Sequence, residues 1–300
     1  MTVADIPTRR PPLKWAGGKR WQVPYLRSVW QPFSRRRLVE PFCGGLAVAL
    51  GLGPDRALLN DTNPHLINFY RWLQRGLTIA FPMDNKERAF YRCRDRFNRL
   101  LADGQGETAE AAGLFYYLNR TGYNGLCRFN RRGEFNVPFG RYKRIGYVRD
   151  FAMYRDVFAR WTLTAGDVES VDTERGDFVY ADPPYDVEFT HYARGGFSWE
   201  DQQRAAAWLA RHEGPVVLVN QATDRIEKLY RQLGYRISYV DAPRLISCTG
   251  DRTPAREIIA TRNLRRTSSV SARTSTRRSR VLPAPAPVRP ASVPRRTGQI

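Results

Sequence analysis

The stretch FVYADPPY, which spans residues 178–185, decides the fold. Its first four residues are apolar and include β-branched and aromatic side chains, as in a buried strand of a parallel sheet. Pro183 and Pro184 supply no N–H group, so the hydrogen-bond ladder must stop directly after Asp182. Asp182, the proline carbonyls and Tyr185 are therefore predicted to meet at the carboxyl edge of an α/β sheet, where such folds bind ligands.

This set of groups suits chemistry on a planar amine. The exocyclic amine of a nucleobase is a weak nucleophile because its lone pair is delocalised into the ring. The Asp182 carboxylate and a proline carbonyl, assigned to Pro183, would accept its two N–H protons and favour the nucleophilic form, while the Tyr185 ring stacks on the base. For these four residues alone, a plain turn between a strand and a helix is the alternative.

A nucleotide-type unit is predicted upstream. Residues 37–42 form a strand, Cys43-Gly44-Gly45 a tight turn and residues 46–50 a helix. The next strand, residues 57–61, ends at Asp61, which is placed to accept hydrogen bonds from ribose hydroxyls. Because no complete G-x-G-x-x-G motif is present, a nucleoside ligand without a pyrophosphate, such as S-adenosylmethionine, fits better than NAD.

The segment PPLKWAGGKR, residues 11–20, precedes this unit. Its adjacent glycines allow a ligand to approach the backbone, Trp15 can stack, and Lys14 and Lys19 can neutralise a carboxylate or phosphate. The segment lacks the spacing of a Walker loop, which excludes that type of ATPase. An ordinary surface turn is the alternative.

The pattern changes between residues 64 and 147. Helices are predicted over residues 65–77, 87–101 and 109–119, because apolar residues recur there at helical spacing. The segment that follows, up to residue 143, combines Gly/Asn turns, aromatic residues and several arginines. Arg can pair with guanine, Asn with adenine, and aromatic wedges can enter a base stack. A hairpin that is basic by accident is the alternative.

The strand and helix pattern then resumes. Strands are predicted over residues 161–164, 178–181, 215–220, 235–240 and 257–261, with helices over residues 200–212 and 223–233. This order implies a twisted, mainly parallel α/β sheet. Residues 265–300 carry nine Arg and no acid, without periodicity, and are predicted to be disordered.

Composition limits the partners. The net charge of +20 favours a polyanion, and nucleic acid fits better than a membrane because no apolar run of membrane-spanning length and no basic amphipathic helix stands out. The first ten residues lack the apolar stretch of a signal peptide, so we expect a cytoplasmic protein. The four cysteines are widely separated and predict neither a disulfide framework nor a zinc site; we expect no metal and a monomer.

Together these motifs closely resemble the Dam-type DNA adenine methylases. The resemblance covers residues 12–261 and is carried by residues 14–19 (KWAGGK), 40–45 (EPFCGG), 60–63 (NDTN), 119–143 and 182–185 (DPPY). It implies an S-adenosylmethionine-dependent methyltransferase with a Rossmann-like sheet, formed by residues 1–63 and 148–264. It also implies an inserted, mainly helical DNA-recognition domain over residues 64–147, and methyl transfer to adenine N6 in double-stranded DNA, with GATC as the expected site.

The resemblance also implies roles for individual residues. Cofactor contacts are expected at Trp15, Lys19, Phe42, Gly44, Asp61 and Asp182. Catalytic roles are expected for Asp182, Pro183 and Tyr185. DNA contacts are expected at Lys14, Tyr123, Asn124, Leu126, Arg128, Pro138, Arg141 and Tyr142, of which Tyr123 and Asn124 match residues that enter or fill the space left by a flipped adenine. The short segment between Tyr185 and Phe189 is expected to close over that base.

Two alternatives compete with this interpretation. An N-methyltransferase acting on RNA or on a protein amide would need the same tetrapeptide, but the 119–143 segment argues against it. A sequence-specific DNA-binding protein that no longer methylates would not need Asp182, Asp61 and Lys19.

Overall fold

The structure is a computed structural model that describes residues 10–148, 150–186, 197–242 and 255–264. A seven-stranded sheet lies at its centre. The strands, in chain order, are β1 (Leu38–Glu40), β2 (Ala57–Asp61), β3 (Trp161–Ala165), β4 (Phe178–Ala181), β5 (Val216–Gln221), β6 (Arg236–Ala242) and β7 (Ala255–Arg262).

The helices surround this sheet. They are α1 (Val23–Trp30), α2 (Ala47–Leu52), α3 (Pro64–Arg75), α4 (Glu87–Ala102), α5 (Ala109–Thr121), α6 (Ala152–Phe158), α7 (Trp199–Arg211) and α8 (Asp224–Gln232). The predicted helices and strands are found with boundaries that differ by at most a few residues. Helices α1 and α6 were not predicted, because they have eight and seven residues and therefore only about two turns of periodicity each.

The strand order, β3-β2-β1-β4-β5-β7-β6, confirms the predicted Rossmann-like α/β sheet. Strands β3, β2, β1, β4 and β5 run parallel, whereas β7 is antiparallel to both β5 and β6. The chain moves outward from β1 to β2 and β3, and then returns to β4 on the other side of β1. This reversal opens a crevice at the carboxyl ends of β1 and β4, the place where open α/β sheets bind ligands.

Both faces of the central strands are buried. Leu38, Phe178 and Tyr180 point into the larger apolar core, and Val39 and Val179 into the smaller one on the opposite face. A parallel strand that is covered on both faces reads as a continuous apolar run, which is why residues 178–181 could be recognised from the sequence.

The insertion between β2 and β3 has its own local structure. Helix α5 packs against both α3 and α4. Asn63 caps the amino terminus of α3 by accepting hydrogen bonds from two backbone N–H groups, and Thr108 caps α5. The rings of Phe97 and Phe135 meet edge to face with centroids 6.2 Å apart, which anchors the segment after α5 to α4.

Some predictions fall outside the described residues. These are the predicted closure of the segment up to Phe189, the predicted disorder of residues 265–300 and the prediction that Cys248 forms no disulfide. Across the described ranges, no helix is long and apolar enough to cross a membrane. Within the same ranges, no three His, Cys, Asp or Glu side chains cluster as metal ligands do. Cys43, Cys93 and Cys127 are free thiols.

Candidate active site at the carboxyl edge of the sheet

A cavity of about 390 Å³ opens at the carboxyl ends of β1, β2 and β4. It gathers every residue that the sequence predicted for cofactor binding and catalysis. These are Trp15, Lys19, Phe42, Gly44, Asp61, Asp182, Pro183 and Tyr185. The residues come from four separate parts of the chain, and the parallel register of the strands brings them to one edge.

The glycine turn after β1 forms one wall of the cavity. The Gly44 carbonyl accepts a hydrogen bond of 2.7 Å from the Tyr70 hydroxyl of α3, which fixes the turn. A Cβ atom added at Gly44 would lie 2.7 Å from Nε1 of Trp15, and one added at Gly45 would lie 2.6 Å from its Cβ. The indole therefore lies directly on the turn, and only glycine leaves room for it.

Asp61, the last residue of β2, also holds this glycine turn. Its Oδ2 accepts the Gly44 N–H at 3.1 Å, and its Oδ1 accepts the Asn63 N–H at 2.9 Å. Burial raises the pKa of this carboxyl above its usual value, against the two backbone hydrogen bonds. Each oxygen keeps a second lone pair, so the ionised group can still accept hydrogen bonds from the hydroxyls of a ligand.

Asp182 and Lys19 form a buried ion pair in the cavity. The Lys19 Nζ lies 3.1 Å from Oδ1 of Asp182 and 4.0 Å from Oε1 of Glu257 on β7. Burial raises the pKa of Asp182 to about 6, although the positive charge of Lys19 opposes the shift. The Lys19 ammonium also lies 4.5 Å from the centre of the Tyr185 ring. One cation thus contacts Asp182 and Tyr185, two of the three residues predicted to be catalytic.

Glu40, the last residue of β1, was not predicted as a site residue. It is buried and lines the cavity, and its Oε1 atom accepts no hydrogen bond within the described part of the chain. Burial, reinforced by the negative charge of Asp182, raises its pKa well above the usual value. A buried carboxylate oxygen without a partner is costly, and a cationic or N–H donating ligand would satisfy it.

The loop that carries the tetrapeptide is held from behind by buried side chains. Gln202 of α7 donates a hydrogen bond of 2.6 Å to the Pro184 carbonyl. Asn220 of β5 accepts the Asp186 N–H at 3.3 Å and donates to Oε1 of Gln202 at 3.0 Å. The backbone groups on both sides of Tyr185 are therefore tied to one amide network.

The predicted DNA contacts lie on a separate segment, residues 122–142, apart from Lys14 of the amino-terminal segment. Antiparallel bridges between Gly122 and Phe139, and between Phe129 and Phe135, give the segment the form of a hairpin. Next to the bridge at its base, the hairpin exposes two large apolar side chains, Tyr123 at 51% and Leu126 at 36% of their area. Asn124, Arg128, Pro138 and Arg141 are also exposed, whereas Lys14 and Tyr142 are half-buried.

Two of the exposed side chains, Arg128 and Arg141, already have partners. The Arg128 Nε donates a hydrogen bond of 2.8 Å to Oδ1 of Asn136, which orients the guanidinium. Arg141 lies 3.5 Å from a carboxylate oxygen of Glu87 in an exposed ion pair. Exposed pairs of this kind are weak and readily exchanged for another partner.

Lys14 joins the hairpin to the amino-terminal segment. Its Nζ donates to the Arg120 carbonyl at 3.1 Å and lies 3.5 Å from the centre of the Tyr142 ring. Burial, with a smaller contribution from the Arg120 charge, lowers the pKa of Lys14 to about 8.

Comparison with known proteins gives one family. Residues 15–246 match the D12 class N6 adenine-specific DNA methyltransferase family. The retron Ec67 DNA adenine methylase of Escherichia coli is 36% identical over 263 residues, which cover 83% of this chain and 90% of that protein. A DNA adenine methylase of Vibrio cholerae is 35% identical over 270 residues, which cover 83% and 94%. The DNA N-6-adenine-methyltransferase of Escherichia phage P1 is 34% identical over 257 residues, which cover 79% of this chain and only 33% of the phage protein.

Proposed function

Because the chain belongs to the D12 class of N6 adenine-specific DNA methyltransferases, we propose that its cavity binds S-adenosylmethionine beside an adenine flipped out of double-stranded DNA, with GATC as the target site. The observation that carries this proposal is the convergence in one cavity of Asp182, Tyr185 and the Glu40 carboxylate, whose Oε1 has no hydrogen-bond partner among the described residues. Residues 1–63 and 148–264 form the catalytic domain in this proposal, and residues 64–147 the recognition insertion.

The residues of the cavity fit this cofactor. S-adenosylmethionine supplies a methyl group on a cationic sulfur, together with an ammonium group, ribose hydroxyls and a base. The Oε1 atom of Glu40, which has no hydrogen-bond partner in the described part of the chain, can bind a cationic group of the cofactor. Asp61 has free lone pairs that can accept hydrogen bonds from the ribose hydroxyls. The indole of Trp15, packed on the glycine turn, offers an aromatic wall. Lys19 holds Asp182 in place from within the same cavity.

Catalysis in this proposal rests on the tetrapeptide. The ionised Asp182 carboxylate and the Pro183 carbonyl accept hydrogen bonds from the two N–H groups of the adenine N6 amine. These hydrogen bonds direct the nitrogen lone pair towards the methyl group. Asp182, with a pKa of about 6, can also accept the proton that leaves the nitrogen after methylation. Tyr185 stacks on the base, and its phenol stays neutral because burial raises its pKa well above the usual value.

The hairpin supplies the DNA contacts. Flipping a base out of the stack costs a few kcal/mol, and insertion of the exposed Tyr123 ring into the vacated space would offset part of this cost. Arg128 is the candidate for a bidentate contact with guanine, and Leu126 and Pro138 for apolar contacts with thymine methyl groups. The charge of +20 supplies attraction to phosphates that does not depend on sequence.

The experiment is methyl transfer from labelled S-adenosylmethionine to two duplexes that differ only in one GATC site. The full chain should label the GATC duplex and leave the other almost unlabelled. Asp182→Ala should reduce the rate by orders of magnitude, while binding to the GATC duplex survives. Equal labelling of the two duplexes would reject the proposed site, and full activity of Asp182→Ala would reject the proposed chemistry.

A further inference from the structure

Asn119, near the carboxyl terminus of α5, links two parts of the chain that are far apart in sequence. Its side chain is only 2% exposed. Its Oδ1 accepts the Lys14 N–H at 2.9 Å, and its Nδ2 donates to the Lys14 carbonyl at 2.8 Å and to the Gly125 carbonyl at 3.1 Å. One buried amide thus pairs with both backbone groups of Lys14 and with Gly125, near the base of the hairpin.

The contact between the two segments is close. Gly125 has a φ of +64°, and a Cβ atom added to it would lie 2.3 Å from Cβ of Lys14. The Lys14 side chain continues over the Tyr142 ring, whose hydroxyl donates to the Gly122 carbonyl at 3.1 Å. A movement of the hairpin base must therefore move Lys14, or break buried hydrogen bonds and leave polar groups without partners.

The same segment reaches the cavity one residue later. Trp15 follows Lys14 directly, and its indole lies on the glycine turn that forms the cavity wall. Lys19, which pairs with Asp182, is four residues further on. Contacts made at the base of the hairpin and contacts made in the cavity are consequently joined through residues 14–19.

We propose that Asn119 is a positioning residue that couples the two sites, so that cognate DNA on the hairpin and the cofactor in the cavity each strengthen the binding of the other. This inference rests on the proposed function. Coupling of this kind is reciprocal: the factor by which DNA tightens cofactor binding must equal the factor by which the cofactor tightens DNA binding. Neither ligand touches Asn119, which acts through Lys14 and Gly125.

The test measures that factor by calorimetric titration of the full chain with S-adenosylhomocysteine, the demethylated product, with and without a GATC duplex. We expect the wild-type chain to bind this probe about fivefold or more tightly when the duplex is present. Asn119→Asp keeps the shape and one acceptor but loses both donated hydrogen bonds, and its coupling factor should fall below about twofold. The reverse titration, of duplex with and without the probe, should give the same factors.

Asn68 provides a matched control. It is a buried Asn on α3 whose Nδ2 donates to the carbonyls of Gly106 and Thr108 at 3.0 and 3.2 Å, so Asn68→Asp also removes two hydrogen bonds to backbone carbonyls. It should retain the wild-type factor. If Asn119→Asp does not fold, Gly125→Ala disturbs the same contact from the other side and should also abolish the coupling.

Three results would overturn the inference. The inference would be wrong if the wild-type chain bound both ligands with the same affinity in the presence and absence of the other. Coupling that survives in both Asn119→Asp and Gly125→Ala would show that these residues do not carry it. Wild-type chain that binds neither ligand would reject the proposed function itself, and the inference with it.

Discussion

Replacing Lys19 by Met removes the positive charge nearest to Asp182. Over the observed separation of 3.1 Å, two unit charges attract by about 5 kcal/mol at an effective dielectric constant of about 20. Since one pKa unit corresponds to about 1.4 kcal/mol, complete loss of this attraction would raise the pKa of Asp182 by at most about four units. Water that enters the vacated space reduces the effect, so we expect a rise of at least one unit from the starting value of about 6.

The pH dependence of kcat/KM for S-adenosylmethionine reports this pKa, because it reflects the enzyme before the cofactor binds. A protonated Asp182 is a weaker acceptor for the amine and cannot take up its proton, so activity falls as the pH drops below the pKa of Asp182. The wild-type midpoint should lie near pH 6. The midpoint for Lys19→Met should lie at about pH 7 or above, whereas Lys19→Arg, which keeps the charge, should stay close to the wild type.

The pH dependence of the free energy of unfolding gives an independent check on the pKa of Asp182. Asp182 has a folded-state pKa of about 6, above the value of about 3.9 for an unfolded chain. The folded state therefore becomes progressively less stable as the pH rises from about 4 to about 6, because Asp182 ionises less readily in the folded than in the unfolded chain. Lys19→Met should extend this loss to higher pH. An activity midpoint and a stability profile in Lys19→Met that both match the wild type would refute the electrostatic role assigned to Lys19.

Three further changes test other parts of the site. Gly45→Ala should weaken S-adenosylhomocysteine binding about tenfold by displacing the Trp15 indole that packs on the turn. Gly176→Ala, where an added Cβ meets nothing within 4 Å, should bind the probe normally. Equal affinities of the two variants would contradict the role of Trp15 and the glycine turn in cofactor binding. Gln202→Leu removes the hydrogen bond to Pro184 and should lower kcat about tenfold or more while cofactor affinity holds, and an unchanged kcat would show that the loop needs no such support. Arg128→Ala should cost about 1–3 kcal/mol of binding to the GATC duplex, and an equal loss on every duplex would make this residue a phosphate contact.

The fold was accessible from the sequence where burial leaves a continuous apolar run. Residues 178–181 and 215–220 belong to strands covered on both faces, so their composition alone identifies them. The cavity followed from the same logic, because the carboxyl ends of parallel strands share an edge. The motifs at residues 14–19, 40–45, 60–63, 119–143 and 182–185 predicted the family, and this prediction is confirmed.

The side chains that support the site were not accessible in this way. Glu257 approaches Lys19 only because β7 pairs antiparallel with β5, with Glu257 opposite Gln221. Sequence spacing does not specify that register. Asn119 resembles any polar residue near the end of a helix, and its bonds to Lys14 span 105 positions of the chain. Roles of this kind depend on contacts between distant segments, which local periodicity does not predict.

The support of the tetrapeptide by Gln202 and Asn220 has a consequence for protein engineering. Two successive prolines leave the loop with few backbone donors, so its shape is specified by amides on α7 and β5, at positions 18 and 34 residues away from the groups that they hold. Grafting DPPY alone onto another α/β scaffold would therefore transfer the reactive groups without the geometry that makes them useful. The smallest portable unit is the tetrapeptide together with the strand and helix behind it.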